Sequence, residues 1–382
     1  MIHYKFPVIK KLEDIKDVLT KPEFGLFVKD GYQVVNYNFV DSDTFTNPLE
    51  AECRGLIFDM KGNLISRRYH KFFNVGERND VVPDLSKPHV ILEKLDGSMV
   101  SPLFIPMEDI NIYDEIHVNL RWITKMGITE TSMQAEEWVA EHPQYIDFCR
   151  YCFIYDLTPV FEWCSRKNKI VLDYKEDNLI LTAVRANFTG LYWTWDKLLW
   201  VQKEYGIPVV KVLFTDVEHQ LDNIVSYIRS MEDTEGIVIR FNDGHMVKIK
   251  SEWYLKLHKT KDAISSEYKV LSLILDQGID DLLPLLCEED KKHVVEYQDE
   301  FYKHLINLTI MYEDIFMRFK AFAGTSRKAF AEQALQMSHP DIYFKMLDGK
   351  RADIAIVDKI KKSMKKLDKV RDLIGTEFKT NE

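Results

Sequence analysis

The sequence predicts an α+β fold: antiparallel sheets with flanking helices, followed by an all-helical C-terminal part. Three observations predict it. Short β-type runs, some joined by Asp-Gly or Lys-Gly-Asn turns, occupy the first two thirds of the 382 residues. Helical pieces fall between them in an irregular order, unlike the regular alternation of a βαβ fold. After about Tyr254 the strand signals fade, and Phe301, Leu305, Leu308, Tyr312, Ile315, Phe319 and Phe322 recur at steps of four and three. The expected division is 1–254 and 255–382.

Taken in order, Gly25–Val28 and Tyr32–Tyr37 flank Asp30-Gly31, a hairpin turn. Cys53–Asp59 and Leu64–Ser66 flank Lys61-Gly62-Asn63, a second one. Further strand-like runs are Val90–Glu93, Val160–Trp163, Ile170–Leu172, Leu179–Ala183, Gly236–Arg240 and Met246–Ile249. Helices are expected over Met133–Glu141 and Trp195–Tyr205. In the tail, Gly324-Thr325-Ser326 stops the long striped helix and caps the next. A last helix carries Ile360, Met364, Leu367, Val370 and Ile374 on one face, and Lys359, Lys361, Lys362, Lys365, Lys366, Lys369 and Arg371 on the other. That basic face suits either solvent or an RNA backbone.

A composition of 46% hydrophobic and 12% aromatic residues belongs to a folded chain, not a disordered one. No apolar run approaches the ~18–20 residues of a spanning helix, so no membrane association is expected. Met1–Phe6 lacks a secretory pattern. Five cysteines, an odd number, read as free thiols of a reducing compartment. Cys149 and Cys152 form a CxxC, but no second pair stands at zinc spacing. The expected location is therefore cytoplasmic. Residues 255–382 carry 22 basic and 22 acidic side chains, so the whole net charge of −10 falls in the first 254 residues. Any polyanion must be gripped by local clusters of cations, because the overall field repels it.

Four segments carry chemistry. Glu93-Lys94-Leu95-Asp96-Gly97-Ser98-Met99 delivers a lysine from a strand onto a turn. Val160-Phe161-Glu162-Trp163 places a carboxylate on a strand. Glu235-Gly236-Ile237-Val238-Ile239-Arg240 sets a carboxylate and a glycine before a strand. Met246-Val247-Lys248-Ile249-Lys250 sets two lysines on one strand face. In this order and spacing, KxDG, FEW, EGIVIR and VKIK resemble the motifs of the covalent nucleotidyltransferases, which comprise DNA ligases, RNA ligases and mRNA capping enzymes. Glu52-Cys53-Arg54-Gly55, Lys71-Phe72-Phe73-Asn74 and Lys250-Ser251-Glu252-Trp253-Tyr254 are most similar to the phage RNA ligase 1 family, from about Val34 to Asp281.

The resemblance implies an N-terminal nucleotidyltransferase (adenylyltransferase) domain and an ATP-dependent RNA ligase. It joins 5′-phosphate and 3′-hydroxyl ends through lysyl-AMP and 5′-adenylated RNA. Lys94 is the expected nucleophile, with Lys248, Lys250 and Glu235 as catalytic neighbours. Burial and nearby cations would disfavour the charged form of a lysine and free its lone pair. By the same resemblance, Tyr37, Arg54, Lys71, Lys125, Glu162 (at the ribose), Lys248, Lys250 and Tyr254 contact ATP. Glu235 and Asp280 attend a magnesium ion, for which manganese can substitute. Tyr37 and Tyr254 could equally be core residues, and Asp280 a helix cap. The family implies single-stranded RNA or a nicked tRNA anticodon loop as substrate, a tail that biases substrate choice, and an end-healing kinase-phosphatase as partner. The host cytoplasm follows if the chain is phage-encoded, and a monomer is the default. The competing readings are a DNA ligase or capping-type enzyme, and a non-catalytic RNA-binding relic of the fold. The helical tail speaks against the first two, which carry a β-rich OB domain there.

Overall fold

A computed structural model describes residues 5–40, 44–78, 81–105, 119–167, 170–215 and 221–379. The chain forms two compact units, Met1–Leu255 and Lys256–Glu382. The first holds thirteen described strands in three sheets. Strands β1 (Phe24–Val28), β2 (Tyr32–Tyr37), β3 (Leu56–Asp59) and β4 (Leu64–Ser66) form an antiparallel meander. Gly31 and Gly62, both at positive φ, make its two hairpin turns. Strand β5 (Phe73–Asn74) joins a second sheet of β6 (His89–Glu93), β11 (Val212–Thr215), β12 (Gly236–Phe241) and β13 (Met246–Lys250), in the order β11-β6-β12-β13-β5. The third contains β7 (Ser98–Ile105), β8 (Asn119–Ile123), β9 (Leu157–Cys164) and β10 (Asn178–Ala186), in the order β10-β9-β7-β8.

The sheets are antiparallel as expected, and the two-residue pairing of β13 with β5 is the one parallel pairing among these strands. Strands β5, β7, β8 and β11 have no counterpart in the sequence reading. Pro102 disguises β7, since proline lacks the N–H of a ladder residue. It is tolerated because β7 pairs with β9 only over Ser98–Val100, leaving that flank of Pro102 open. Conversely, Ile170–Leu172 is not a strand. The Val171 and Leu172 amides donate to the Asp96 carboxylate at 2.8 and 2.7 Å, so they are spent on a side chain and not on a ladder.

Helices Glu130–Ala140, Pro143–Ile154 and Trp195–Tyr205 cover the third sheet, and Trp122, Phe148, Phe161, Leu181 and Leu198 fill the core between them. Cys149 and Cys152 lie in this core, where burial pushes both thiols up and leaves them inert. Helix Leu221–Arg229 packs Ile224 and Ile228 on the second sheet.

Every regular element of the second unit among its described residues is a helix. Helix Glu288–Ala323 runs for 36 residues, and Phe301 and Tyr312 from its apolar stripe are buried. Phe322 is instead 74% exposed, one residue from the end of the helix. Ser326 caps the following helix by accepting from the Ala329 amide at 3.2 Å. The single basic helix expected at the end is two, Ala352–Ser363 and Leu367–Ile374, broken around Lys366. Ile360, Met364, Val370 and Ile374 all stay buried across the break, because each segment turns its own apolar face inward. No helix among the described residues is long and apolar enough to cross a membrane.

Candidate active site

The motifs meet where the second and third sheets face one another across a cavity of about 260 Å³. Side chains alternate across a strand, so β6 turns Leu92 and then Lys94 to the cavity, β12 turns Val238 and Arg240, and β13 turns Met246 and Lys248. Glu162 and Thr182, from β9 and β10, line the facing wall, and Arg54, Tyr69, Phe72, Gly97 and Met99 are among the other residues that border the cavity, as are Glu93 and Leu95 on either side of Lys94.

Lys94 follows the last residue of β6, and its amide donates to the Gly236 carbonyl at 2.9 Å. Its Nζ lies 2.8 Å from Glu235 Oε2, while Lys250 Nζ lies 2.9 Å from Glu235 Oε1. The buried Glu235 carboxylate is therefore shared by two lysines. Two glycines make this approach feasible. Gly236 sits at φ +138°, and a Cβ there would collide with the Ile249 carbonyl. A Cβ on Gly97 would meet the Trp163 carbonyl at 2.5 Å, so the turn after Lys94 can lie against β9 only as glycine.

The turn is fixed from below by Asp96, a residue without a role in the sequence reading. It is 3% exposed. It accepts from the Tyr254 hydroxyl at 2.7 Å through one oxygen and from the Val171 and Leu172 amides through the other. Its own amide donates to the Tyr174 hydroxyl at 2.9 Å. Tyr254 is buried beneath the turn and does not line the cavity, with Lys250 Nζ 4.8 Å above its ring. Its contact is thus to the turn that carries Lys94.

Lys248 has no carboxylate within 4.0 Å among the described residues. Burial, and then the neighbouring charges of Lys94, Lys71, Lys250 and Arg54, push its ammonium down to about 7. Glu162 moves the other way: burial, helped by Glu235 and Asp96 and opposed by Lys94, raises its carboxyl to about 7. Lys71 lies over the rings of Phe45 and Phe73, and burial lowers it. At the side of the site, Lys125 Nζ donates to the Tyr37 hydroxyl at 2.9 Å. Burial alone would raise the Tyr37 phenol; the bond and charge of Lys125, with Arg54 and Lys71, outweigh it and lower the group.

A buried charge cluster holds these pieces in register. Glu52, two residues before Arg54, contacts Arg67 at 2.9 Å and Arg185 at 2.6 Å. Burial opposes its ionisation, but both guanidiniums outweigh that and hold the carboxyl down to about 2. The buried Arg68 donates to the carbonyls of Gly55 and Thr124, which tethers the turn of Arg54 to that of Lys125. Nothing in the spacing of Arg67, Arg68 and Arg185 announces this, since they come together only in the fold.

Asp280 belongs to the second unit, where it is exposed in the first turn of the short helix Ile279–Leu282. Gly278 holds the cap position, so Asp280 is not the helix cap that was the alternative. Among the described residues, no group of three or more His, Cys, Asp and Glu side chains could hold a metal ion. A magnesium ion needs less, since one or two carboxylates and substrate phosphates suffice for its oxygen shell. Glu235, at the cationic end, fits that requirement.

A family model described as RNA ligase matches residues 52–261. An RNA ligase of Rhodothermus phage RM378 is 24% identical over 90% of both chains. A Thermovibrio ammonificans protein, named as a candidate RNA ligase, is 26% identical over 77% of both. Among solved structures, an archaeal ATP-dependent RNA ligase is 17% identical with a TM-score of 0.43, covering 65% of this chain and 64% of that one. The chain thus spans a little under two thirds of the archaeal protein.

Proposed function

The chain belongs to the RNA ligase family, and on that premise we propose that it is an ATP-dependent ligase of single-stranded RNA whose nucleophile is Lys94. The observation that carries this reading is the convergence of Arg54, Lys94 and Lys248 on one cavity, with Lys250 joined to Lys94 through Glu235. A triphosphate is the kind of ligand that suits such crowded cations.

In the first step Lys94 Nζ, having left Glu235 and given up its ammonium proton, forms a bond to the α-phosphorus of ATP. The bond to the bridging oxygen breaks, and pyrophosphate departs with the electron pair. Lys248 and Arg54 face the charge that spreads over the transferring group. Glu162 accepts from the ribose hydroxyls. Lys71, and Lys125 braced by Tyr37, are assigned to the outer phosphates. Glu235 would hold magnesium, or manganese in its place, which supplies positive charge against the pyrophosphate. In the second step the 5′-phosphate of an RNA attacks the lysyl-AMP phosphorus and frees Lys94. In the third, a 3′-hydroxyl attacks the adenylated end and AMP leaves.

The substrates are therefore 5′-phosphate and 3′-hydroxyl ends, which broken tRNA anticodon loops offer only after an end-healing kinase and phosphatase have acted. This places the reaction in RNA repair, in the cytoplasm. The test is covalent labelling with α-labelled ATP and magnesium, chased with 5′-phosphorylated RNA. We expect label on the protein that passes to RNA and ends in joined product, with none on Lys94→Ala. Transfer preferred to nicked DNA would replace this reading by a DNA ligase. Folded protein that takes no label would replace it by a binding module.

A further inference from the structure

Helix Glu288–Ala323 turns Val294, Tyr297, Phe301 and Tyr312 into the core of the second unit. Its opposite face is open. Ile306 is 58%, Ile310 61% and Met317 62% exposed. Single exposed apolar side chains are ordinary on a protein surface, but these three lie on one line. Glu296, Asp299, Lys303, Ile306, Ile310, Glu313, Met317 and Lys320 advance by alternating steps of three and four, and all are exposed. That spacing is the seam along which two helices pair. At 1.5 Å per residue, it is ~36 Å long.

The order of charges along the seam selects a partner. An antiparallel copy of the helix, centred opposite residue 308, sets Ile306 of each copy against Ile310 of the other. In the same register Lys303 faces Glu313, and Glu296 faces Lys320. A two-fold axis makes every such contact twice. Asp299 faces Met317, with Arg318 one residue on. A parallel copy would instead set Lys303, Glu313, Glu296 and Lys320 each against itself, and like charges at a seam repel. Within their own chain, Lys303 and Glu313 have no ion-pair partner within 4.0 Å among the described residues. Glu296 has only a loose one, Lys292 at 3.9 Å. An RNA backbone fits this face poorly, since three acids stand among its two lysines and would repel phosphates.

We propose that this face of helix Glu288–Ala323 is an interface between two copies of the chain, paired antiparallel along the seam from Glu296 to Lys320. Its apolar centre is small, so the pair forms and parts reversibly, with Kd of about 1–100 µM.

The test is sedimentation equilibrium of the whole chain across that concentration range. The mass is expected to rise from 45.1 kDa toward twice that value. Ile310→Lys places two unpaired ammonium groups at the apolar centre and is expected to weaken the pair ~100-fold or more, giving a monomer throughout. The site is exposed, so its circular dichroism and its covalent labelling by ATP should match those of the unaltered chain. Lys303→Glu and Glu313→Lys should each weaken the pair ~10-fold, and the double variant should restore it, because opposite charges then face one another again. A monomer at every concentration would overturn the proposal, and loss of RNA joining from a folded Ile310→Lys chain would then give the seam to RNA. A dimer that survives Ile310→Lys would overturn it by placing the contact on another face. A double variant as weak as either single change would overturn the antiparallel pairing.

Discussion

Two side chains at the site titrate near neutrality for opposite reasons. Lys248 is pushed down by burial and by other cations, and Glu162 is pushed up by burial and other carboxylates. For Lys248 the sign of the pH effect follows directly. With its pKa at about 7 in the free protein, the charged form prevails below that pH, and a bound triphosphate favours that form. Nucleotide affinity should therefore be greatest below pH 7 and decline above it, as binding comes to require proton uptake. Lys248→Arg keeps its charge throughout. Measured by calorimetry with Lys94 intact and an ATP analogue whose α,β-bridge cannot be cleaved, the affinity of the Lys248 chain relative to Lys248→Arg should fall about tenfold from about pH 6 to pH 8. A constant ratio would mean that Lys248 does not titrate in this range. The strand motifs announced the lysine pair, because alternation puts both residues on one face. They could not announce that one lysine is paired with Glu235 and the other is not, since that depends on which strand lies opposite.

At the scale of elements, the site depends on turns locked by polar contacts from segments far away in sequence. Asp96 is the clearest case: a residue on the turn after β6 receives donors from 75, 76 and 158 positions away. Tyr254→Phe would leave a buried carboxylate oxygen without its donor, at a cost of ~1–3 kcal/mol in stability. Chemical denaturation should show that loss, and labelling should slow more than ATP binding weakens. Unchanged denaturation would mean the hydroxyl is dispensable. Gly236→Ala should do more, since the added methyl meets strand backbone that cannot yield. Its thermal midpoint should drop well below that of Tyr254→Phe, and an equal midpoint would contradict the packing described. Glycines at Asp30-Gly31 and Lys61-Gly62 were legible as turns from type alone. Gly97 and Gly236 carried a motif whose steric reason, a neighbouring strand, is visible only once the sheets are assembled.

At the scale of the molecule, Arg54, Lys71, Lys94, Glu162, Glu235, Lys248 and Lys250 all lie within Met1–Leu255. The Lys256–Glu382 unit has a core of its own, built from Val270, Phe301, Tyr312, Phe330, Ile356 and Val370. Helix Glu252–Ala263 crosses the division, so a cut belongs after Ala263. A chain of residues 1–263 is expected to keep covalent labelling by ATP, and residues 264–382 to show helical circular dichroism with a cooperative thermal transition. Loss of labelling from a folded 1–263 chain would assign the tail a part in the first step.

What the sequence determined alone is what short-range physics controls: strand and helix periods, glycine turns, and the order in which lysines and carboxylates arrive on strands. Those sufficed for the α+β class and the helical tail, and the resemblance of the ordered motifs supplied the family. The tertiary structure decided everything that depends on two distant segments meeting. It brought β5 in parallel beside β13 and made Ile170–Leu172 a donor loop for Asp96. It also sank Tyr254 below the site. Burial and partner choice are properties of the assembled fold, because a polar atom's cost is set by what surrounds it and not by its place in the chain.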